Sequence, residues 1–176
     1  MNSKLFSPRI LVLCGMIAAA AFTRLIPHLP NFTAIGAMAL FGGAYFSNKK
    51  LAFAVPLIAM FLTDLIIGFH STMIAVYIAF AMMVIIGMTM IRKKKTVNII
   101  LASVTATVMF FIITNFAIWV SGIMYPVTGA GLVECYVAAV PFFGYNLAGN
   151  LFYAGLMFGL FELARMKFPQ LAPAES

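Results

Sequence analysis

Residues 92–95 of this chain read Arg-Lys-Lys-Lys, and they separate two long apolar runs, residues 72–91 and 96–121. On either side of this stretch, further basic residues flank or separate the other apolar runs, and these residues are Lys4, Arg9, Lys49, Lys50, Arg165 and Lys167. Basic residues at every second boundary between apolar runs follow the positive-inside pattern of membrane proteins. The pattern predicts an all-α integral membrane protein, a bundle of six transmembrane helices with both termini in the cytoplasm.

The composition also indicates a protein that lies in a lipid bilayer. The chain is 64% hydrophobic and only 9% charged, whereas soluble domains average about 25% charged residues. Its net charge is +7, but the basic residues form short clusters beside apolar runs, so we expect no nucleic-acid partner. The 176 residues leave room for a single transmembrane domain, predicted over residues 1–168, with residues 169–176 as a disordered cytoplasmic tail.

The apolar runs define six predicted helices, at residues 9–26, 32–46, 51–69, 72–91, 96–121 and 140–164. The second would span only about 22 Å, against about 30 Å for the hydrocarbon core of a bilayer. It is therefore either packed steeply inside the protein or preceded by an outer loop that dips into the membrane. Between the fifth and sixth helices, residues 122–138 are too polar to span the membrane and too apolar for a solvated linker, which predicts an outer cap.

Most of the polar side chains that can bind a ligand fall at the outer end of the predicted bundle. Arg24 and Asp64 lie there at matching depths with opposite charges, and each should find a partner because a charge within the membrane costs about 2.5–3.5 kcal/mol. A structural ion pair and a ligand-binding role are both open interpretations of this pair. The other candidate ligand-binding residues are His28, Asn31, His70, Tyr77, Asn115, Trp119, Glu134, Tyr136, Asn146 and Asn150.

Each of these residues also has an ordinary structural interpretation, such as aromatic belt for Trp119 and Tyr136 or interhelical hydrogen bonding for Asn146 and Asn150. Apart from threonines, however, the inner half of the bundle has almost no polar side chain between its basic ends. This asymmetry predicts an outward-facing pocket. Arg24 counted against Asp64 and Glu134 makes its mouth slightly acidic, which disfavours a strongly anionic ligand and suits a flat heteroaromatic or zwitterionic molecule of vitamin size.

No catalytic motif accompanies these residues: the chain has no Ser-His-Asp order, no HExxH and no glycine-rich phosphate loop. We therefore expect no catalytic residues, no cofactor and no metal site. An intramembrane metalloenzyme stays as an alternative, and its ligands would come from His28, His70, Asp64, Glu134 and Cys135, although none of these form an i, i+4 pair. A complete secondary transporter would show an inverted repeat, which the sequence lacks.

Two pairs of small residues have the spacing of close helix contacts, Gly15 with Ala19 and Gly155 with Gly159. Such pairs are common wherever membrane helices pack, so they are interpreted first as contacts within the bundle. Docking onto a partner subunit is the alternative.

Residues 24–33, Arg-Leu-Ile-Pro-His-Leu-Pro-Asn-Phe-Thr, with residues 36–43, Gly-Ala-Met-Ala-Leu-Phe-Gly-Gly, resemble the opening of a family of uncharacterised bacterial membrane proteins. Residues 63–68, 114–119 and 131–143 fit the same pattern. That family is similar in size and helix count to the S components, the substrate-binding subunits of energy-coupling-factor vitamin transporters. The resemblance implies a multi-pass protein of the bacterial plasma (inner) membrane that binds its ligand near the outer face.

The resemblance also implies partners, namely a transmembrane coupling subunit and ATPases. In S components, small residues of the first helix dock onto the coupling subunit, and Gly15, Ala18, Ala19 and Ala21 would take that role here. No particular vitamin is implied. The sequence thus predicts a small-molecule, vitamin-like substrate-binding subunit of an energy-coupled importer, with an intramembrane enzyme or a structural membrane subunit as alternatives.

Overall fold

The computed structural model describes residues 7–172 of the chain. Within them it has six α-helices: α1 Pro8–Phe22, α2 Ile35–Tyr45, α3 Lys49–Ile67, α4 Met73–Met90, α5 Thr96–Val120 and α6 Gly129–Lys167. The described residues form no β-strand, and two short 3-10 helices, Thr23–Leu25 and Pro169–Leu171, follow α1 and α6. Every helix except α2 is long and apolar enough to cross a membrane, with α1 counted together with its 3-10 turn. The predicted all-helical fold is confirmed for the described residues. Six membrane-spanning helices were predicted, and five of the helices have the length and composition to span, which is consistent with a multi-pass membrane protein.

The helix ends follow local signals. Asn48 caps α3 by accepting a hydrogen bond from the backbone N–H of Lys50, and Thr128 caps α6 by accepting one from Gly131. Helix α3 ends at Gly68, whose φ of 103° lies in a region that favours glycine. The basic stretch at residues 92–95 lies between α4 and α5, where the charge pattern predicts a boundary.

Helix α2 is the centre of the bundle. It packs against each of the other five helices, and nine of its 11 residues are buried. Its glycines and alanines let the surrounding helices approach closely. At 1.5 Å per residue, 11 residues give only about 16 Å of helix, far less than the thickness of a bilayer core.

The last residues of the connection between α1 and α2 pack against α6. A Cβ atom added to Gly149 would lie 2.9 Å from the backbone nitrogen of Thr33, so this connection touches α6 near its middle. The Phe32 ring lies 5.8 Å from the ring of Phe152 and 5.9 Å from that of Tyr153. The connection thus lies against α6, and the depth at which it and α2 lie in the membrane stays a prediction.

Helix α6 begins earlier than expected and differs most from the prediction. Residues 129–138, predicted to belong to an outer cap, form its first turns, and only residues 121–128 connect it to α5. Of the glycines that indicated a loop, Gly131 serves the helix start instead, because a Cβ there would lie 2.0 Å from the carbonyl oxygen of Pro126. Pro141 lies inside the helix without ending it.

The first and last described helices meet at one end of the molecule, here called the basic end, where Arg9, Lys94 and Arg165 lie near Tyr45 and Glu162. The guanidinium of Arg9 donates to the carbonyl oxygen of Leu171 at 2.5 Å, and Leu171 is buried. Residues 169–171, predicted as part of a disordered tail, are thus a 3-10 helix packed on α1. Residues 173–176 lie outside the described residues.

The glycines at the helix seams are not those the sequence indicated. A Cβ on Gly43 would lie 2.2 Å from the carbonyl oxygen of Val84, and one on Gly87 would lie 2.4 Å from that of Leu40, so α2 and α4 are in backbone contact. By contrast, a Cβ atom added to Gly15, Gly155 or Gly159 would meet no atom of a neighbouring helix within 4 Å in the described structure. The interpretation of these three as contacts within the bundle is therefore wrong.

The predicted docking residues on α1 do not share one face. Gly15 and Ala19 are exposed and Ala18 is half-buried, whereas Ala21 is only 2% exposed. Ala21 belongs to the core of the bundle and cannot contact a partner subunit in this conformation. The outward face of α1 that a partner could reach is thus formed around Gly15 and Ala19.

Candidate functional site

A cavity of about 400 Å³ opens at the end of the bundle opposite the basic end. We call this the pocket end. The cavity lies between α4, α5 and the first half of α6, and the α1–α2 connection and the start of α2 complete its wall. Its volume falls in the range of pockets that hold small molecules and cofactors, about 300–1,000 Å³.

Five of the twelve predicted ligand-binding residues line this cavity, and they are Arg24, Asn31, His70, Asn115 and Asn146. They come from the 3-10 helix after α1, two loops, α5 and α6. Elements distant in sequence therefore bring polar groups to one concave surface. Asn146 is half-buried there and forms no side-chain hydrogen bond within residues 7–172, which leaves its amide available to a ligand.

Arg24 is held in place by α3. Its guanidinium lies 2.7 Å from Asp64 Oδ1 and donates to the Thr63 hydroxyl at 2.6 Å. Tyr77 of α4 donates to the other oxygen of Asp64 at 2.8 Å. The side chains of Arg24 and Asp64 are only 11% and 6% exposed, so this is a buried ion pair with both carboxylate oxygens satisfied.

Asp64 and Tyr77 do not reach the cavity themselves, since they lie behind Arg24. Glu134 is exposed elsewhere on α6. Among the described residues that line the cavity, Arg24 is therefore the only Lys, Arg, Asp or Glu. The sequence predicts a slightly acidic pocket mouth. That prediction is wrong for this cavity, because the carboxylates of Asp64 and Glu134 lie outside its wall. An anionic group on the ligand is no longer disfavoured.

Asn150 lies deeper in the bundle than predicted for a ligand contact. It is 2% exposed, and its amide nitrogen donates to the carbonyl oxygen of Ser103 at 3.1 Å and to the Thr107 hydroxyl at 3.0 Å. Within residues 7–172, Asn150 Oδ1 and Ser103 Oγ have no hydrogen-bond partner. Asn150 thus joins α6 to α5 below the cavity.

The remaining predicted residues bond to the backbone outside the cavity. Trp119 donates to the carbonyl oxygen of Thr128 at 3.1 Å and holds the loop before α6 against α5. Tyr136 donates to the carbonyl oxygen of Ile112 at 2.7 Å. His28 is exposed, with Nδ1 2.6 Å from the carbonyl oxygen of Ile26. None of these three lines the cavity.

A family model described as a family of unknown function, DUF6580, matches residues 4–171. The chain belongs to this family. No curated protein and no solved structure matches it. The family description names no activity, so the function of this DUF6580 member has to be inferred from its own residues.

The aromatic walls of the cavity were missed by the sequence interpretation. Phe110 and Phe111 of α5 and Phe142 and Phe143 of α6 all line it, and the rings of Phe111 and Phe143 are in edge-to-face contact, with their centroids 5.3 Å apart. Phenylalanines in an apolar run look the same whether they face lipid or a cavity. The two Phe-Phe pairs were the only local sign, and it is a weak one.

The residues considered for a metal site do not come together in this DUF6580 member. Of the five, only His70 and Cys135 line the cavity. No three His, Cys, Asp or Glu side chains within residues 7–172 form a group that could hold a metal ion. Cys14 and Cys135 are both free thiols. Cys135 is buried and donates to the carbonyl oxygen of Asn115 at 3.4 Å, which joins α6 to α5 beside the cavity.

Proposed function

We propose that this protein captures a small molecule at the pocket end and serves as the substrate-binding subunit of an energy-coupled importer in the bacterial plasma membrane. The observation that carries the proposal is the cavity of about 400 Å³, which is lined by one held cation, amides and aromatic rings. The positive-inside rule assigns the basic end to the cytoplasm. The cavity then opens to the outside, where an importer meets its substrate, and both termini are cytoplasmic.

The lining favours a flat ligand with an acceptor at one edge. The rings of α5 and α6 offer apolar surfaces on which a heteroaromatic ring packs, and Asn115 and Asn146 offer amides to its edge groups. Two of the bonds that hold Arg24 use one nitrogen of its guanidinium and a third uses another nitrogen. Because a guanidinium has five N–H donors, it can still donate to a carboxylate or carbonyl of the ligand.

The partners are those that the resemblance to S components implies. Energy would come from separate ATPases through a transmembrane coupling subunit, and α1 is the helix on which that subunit would dock. Gly15 and Ala19 are open and exposed on α1. That surface supports the resemblance to S components, whose first helix docks onto the coupling subunit.

Filling the cavity is expected to abolish ligand binding without unfolding the protein. Ala139→Trp on α6 places an indole in the cavity that Ala139 lines. Ala148→Trp on the same helix places an identical group on an exposed position and serves as the control. Native mass spectrometry of the detergent-purified proteins should show a co-purifying small molecule on the parent and on Ala148→Trp, and at least tenfold less on Ala139→Trp.

Thermal-shift screening with a panel of vitamins then identifies the ligand class. A ligand at 100 times its Kd stabilises a protein by about 2.7 kcal/mol, which is readily seen as a raised melting temperature. If the parent binds nothing from the panel and carries no small molecule, or if Ala139→Trp binds as well as Ala148→Trp, the cavity is not a substrate site and the importer proposal fails.

A further inference from the structure

The basic end holds a second cluster of charged groups that the proposed importer function does not use. Arg9 of α1 and Lys94 of the α4–α5 loop approach the same ring of Tyr45, with the guanidinium carbon 5.8 Å and the ammonium nitrogen 5.5 Å from its centroid. The Tyr45 hydroxyl donates to Glu162 of α6 at 2.5 Å. Arg165 lies 2.6 Å from the other oxygen of that carboxylate. Four separate elements thus converge on one place.

The charges in this cluster do not balance. Three cations surround the single carboxylate of Glu162, and both of its oxygens are already engaged, by Tyr45 and by Arg165. Arg9 is fixed by hydrogen bonds to the carbonyl oxygens of Leu171 and Tyr45. Lys94 donates only a long bond of 3.4 Å, to the carbonyl oxygen of Arg92. Two positive charges are left without a negative partner in the described structure.

The surroundings of Lys94 in this cluster change the pKa of its ammonium group. Removal of water from around its ammonium group lowers the pKa of Lys94 below the usual value, and the positive charge of Arg9 lowers it further. An anion bound between the two cations would oppose this depression, because its negative charge favours the charged form of Lys94. The site is therefore one that an added negative charge stabilises.

We propose that the basic end binds a phosphate-bearing anion between Arg9, Lys94 and Arg165, and that the headgroup of an anionic phospholipid supplies it. Arginine guanidinium groups match phosphate oxygens with paired hydrogen bonds, and lysine adds a mobile point charge. The cluster stands at the helix ends that the positive-inside rule places at the cytoplasmic surface, where lipid phosphates lie. Basic pockets between membrane helices on that side are suited to such headgroups.

The test compares two neighbouring lysines. Lys94→Gln removes a charge from the cluster, and Lys93→Gln removes the same charge from the neighbouring position of the same loop. Both lysines are exposed, but only Lys94 lies over the ring of Tyr45. Native mass spectrometry would count phosphatidylglycerol and phosphatidylcholine retained on each protein. We expect the parent and Lys93→Gln to retain phosphatidylglycerol in preference to phosphatidylcholine. Lys94→Gln should bind it about fivefold more weakly, the factor for one basic residue near the surface.

A third arm with inorganic phosphate separates the two sources of the anion. If millimolar phosphate raises the melting temperature of the parent and of Lys93→Gln but not of Lys94→Gln, while phosphatidylglycerol is not preferred, the anion site stands and its ligand is soluble. Equal weakening of phosphatidylglycerol binding by the two substitutions would mean a diffuse surface charge and would overturn the proposal. So would the absence of both lipid preference and a phosphate effect in the parent.

Discussion

Gly43→Ala is expected to destabilise the bundle by about 3 kcal/mol, the upper part of the range for overpacking a core. The added methyl group would stand 2.2 Å from the carbonyl oxygen of Val84 and 3.0 Å from the backbone nitrogen of Met88. Both neighbours are backbone atoms of α4, so no side chain can turn aside, and the two helices must separate. Because α2 packs against all five other helices, that separation disturbs the whole core.

The control for this prediction is Gly155→Ala on α6, where nothing lies within 4 Å of the added atom. Alanine there should be neutral or should stabilise the helix by up to about 1 kcal/mol, since glycine is the poorer helix former. Gly87→Ala approaches the same seam from α4, with its methyl group 2.4 Å from the carbonyl oxygen of Leu40, and should behave like Gly43→Ala. The measurement is thermal unfolding in detergent. Equal melting temperatures for Gly43→Ala and Gly155→Ala would show that the close helix contact does not exist in solution.

The contrast between these glycines shows what the sequence can predict of this fold. Helix number and the approximate positions of the helices follow from runs of apolar residues and clusters of basic ones, such as residues 92–95. These patterns are properties of short segments. Gly43 and Gly155, however, have similar apolar neighbours in sequence, and only the arrangement of the helices in space makes one a contact and the other an open surface.

In the candidate site, too, some features could be predicted from the sequence and others could not. The ion pair between Arg24 and Asp64 was predictable, because a charge in an apolar run needs a partner and only one residue of opposite sign lies at a matching depth. The cavity walls were not, since Phe111 and Phe143 resemble any lipid-facing aromatic residue. The helical start of α6 was not predictable either, because glycines at positions 129 and 131 indicate a loop, and the contact of Gly131 with Pro126 is visible only in the structure.

Asp64→Leu is expected to cost about 3–5 kcal/mol of stability, the penalty for removing one partner of a buried ion pair. The guanidinium of Arg24, on a side chain only 11% exposed, would keep its charge without a counterion. Arg165→Leu at the basic end is the matched control for an accessible pair, in which the side chains of Arg165 and Glu162 are 39% and 29% exposed. Exposed pairs contribute about 0–1 kcal/mol, so this control should change the melting temperature little.

The double variant Arg24→Leu/Asp64→Leu separates the two roles that Arg24 can have. It removes both charges, so most of the lost stability should return, less about 1–3 kcal/mol because the Tyr77 hydroxyl loses its acceptor. The double variant should nevertheless fail to bind the ligand, because Arg24 is the cation that faces the cavity. Melting temperature and retained ligand are measured on the same four proteins, namely the parent, Asp64→Leu, the double variant and Arg165→Leu. The melting temperature reports on the pairing of Arg24 with Asp64, and the retained ligand reports on the role of Arg24 in binding. A double variant that regains stability and also binds the ligand would show that Arg24 only neutralises Asp64. Recognition of the ligand would then rest on Asn115, Asn146 and the aromatic walls.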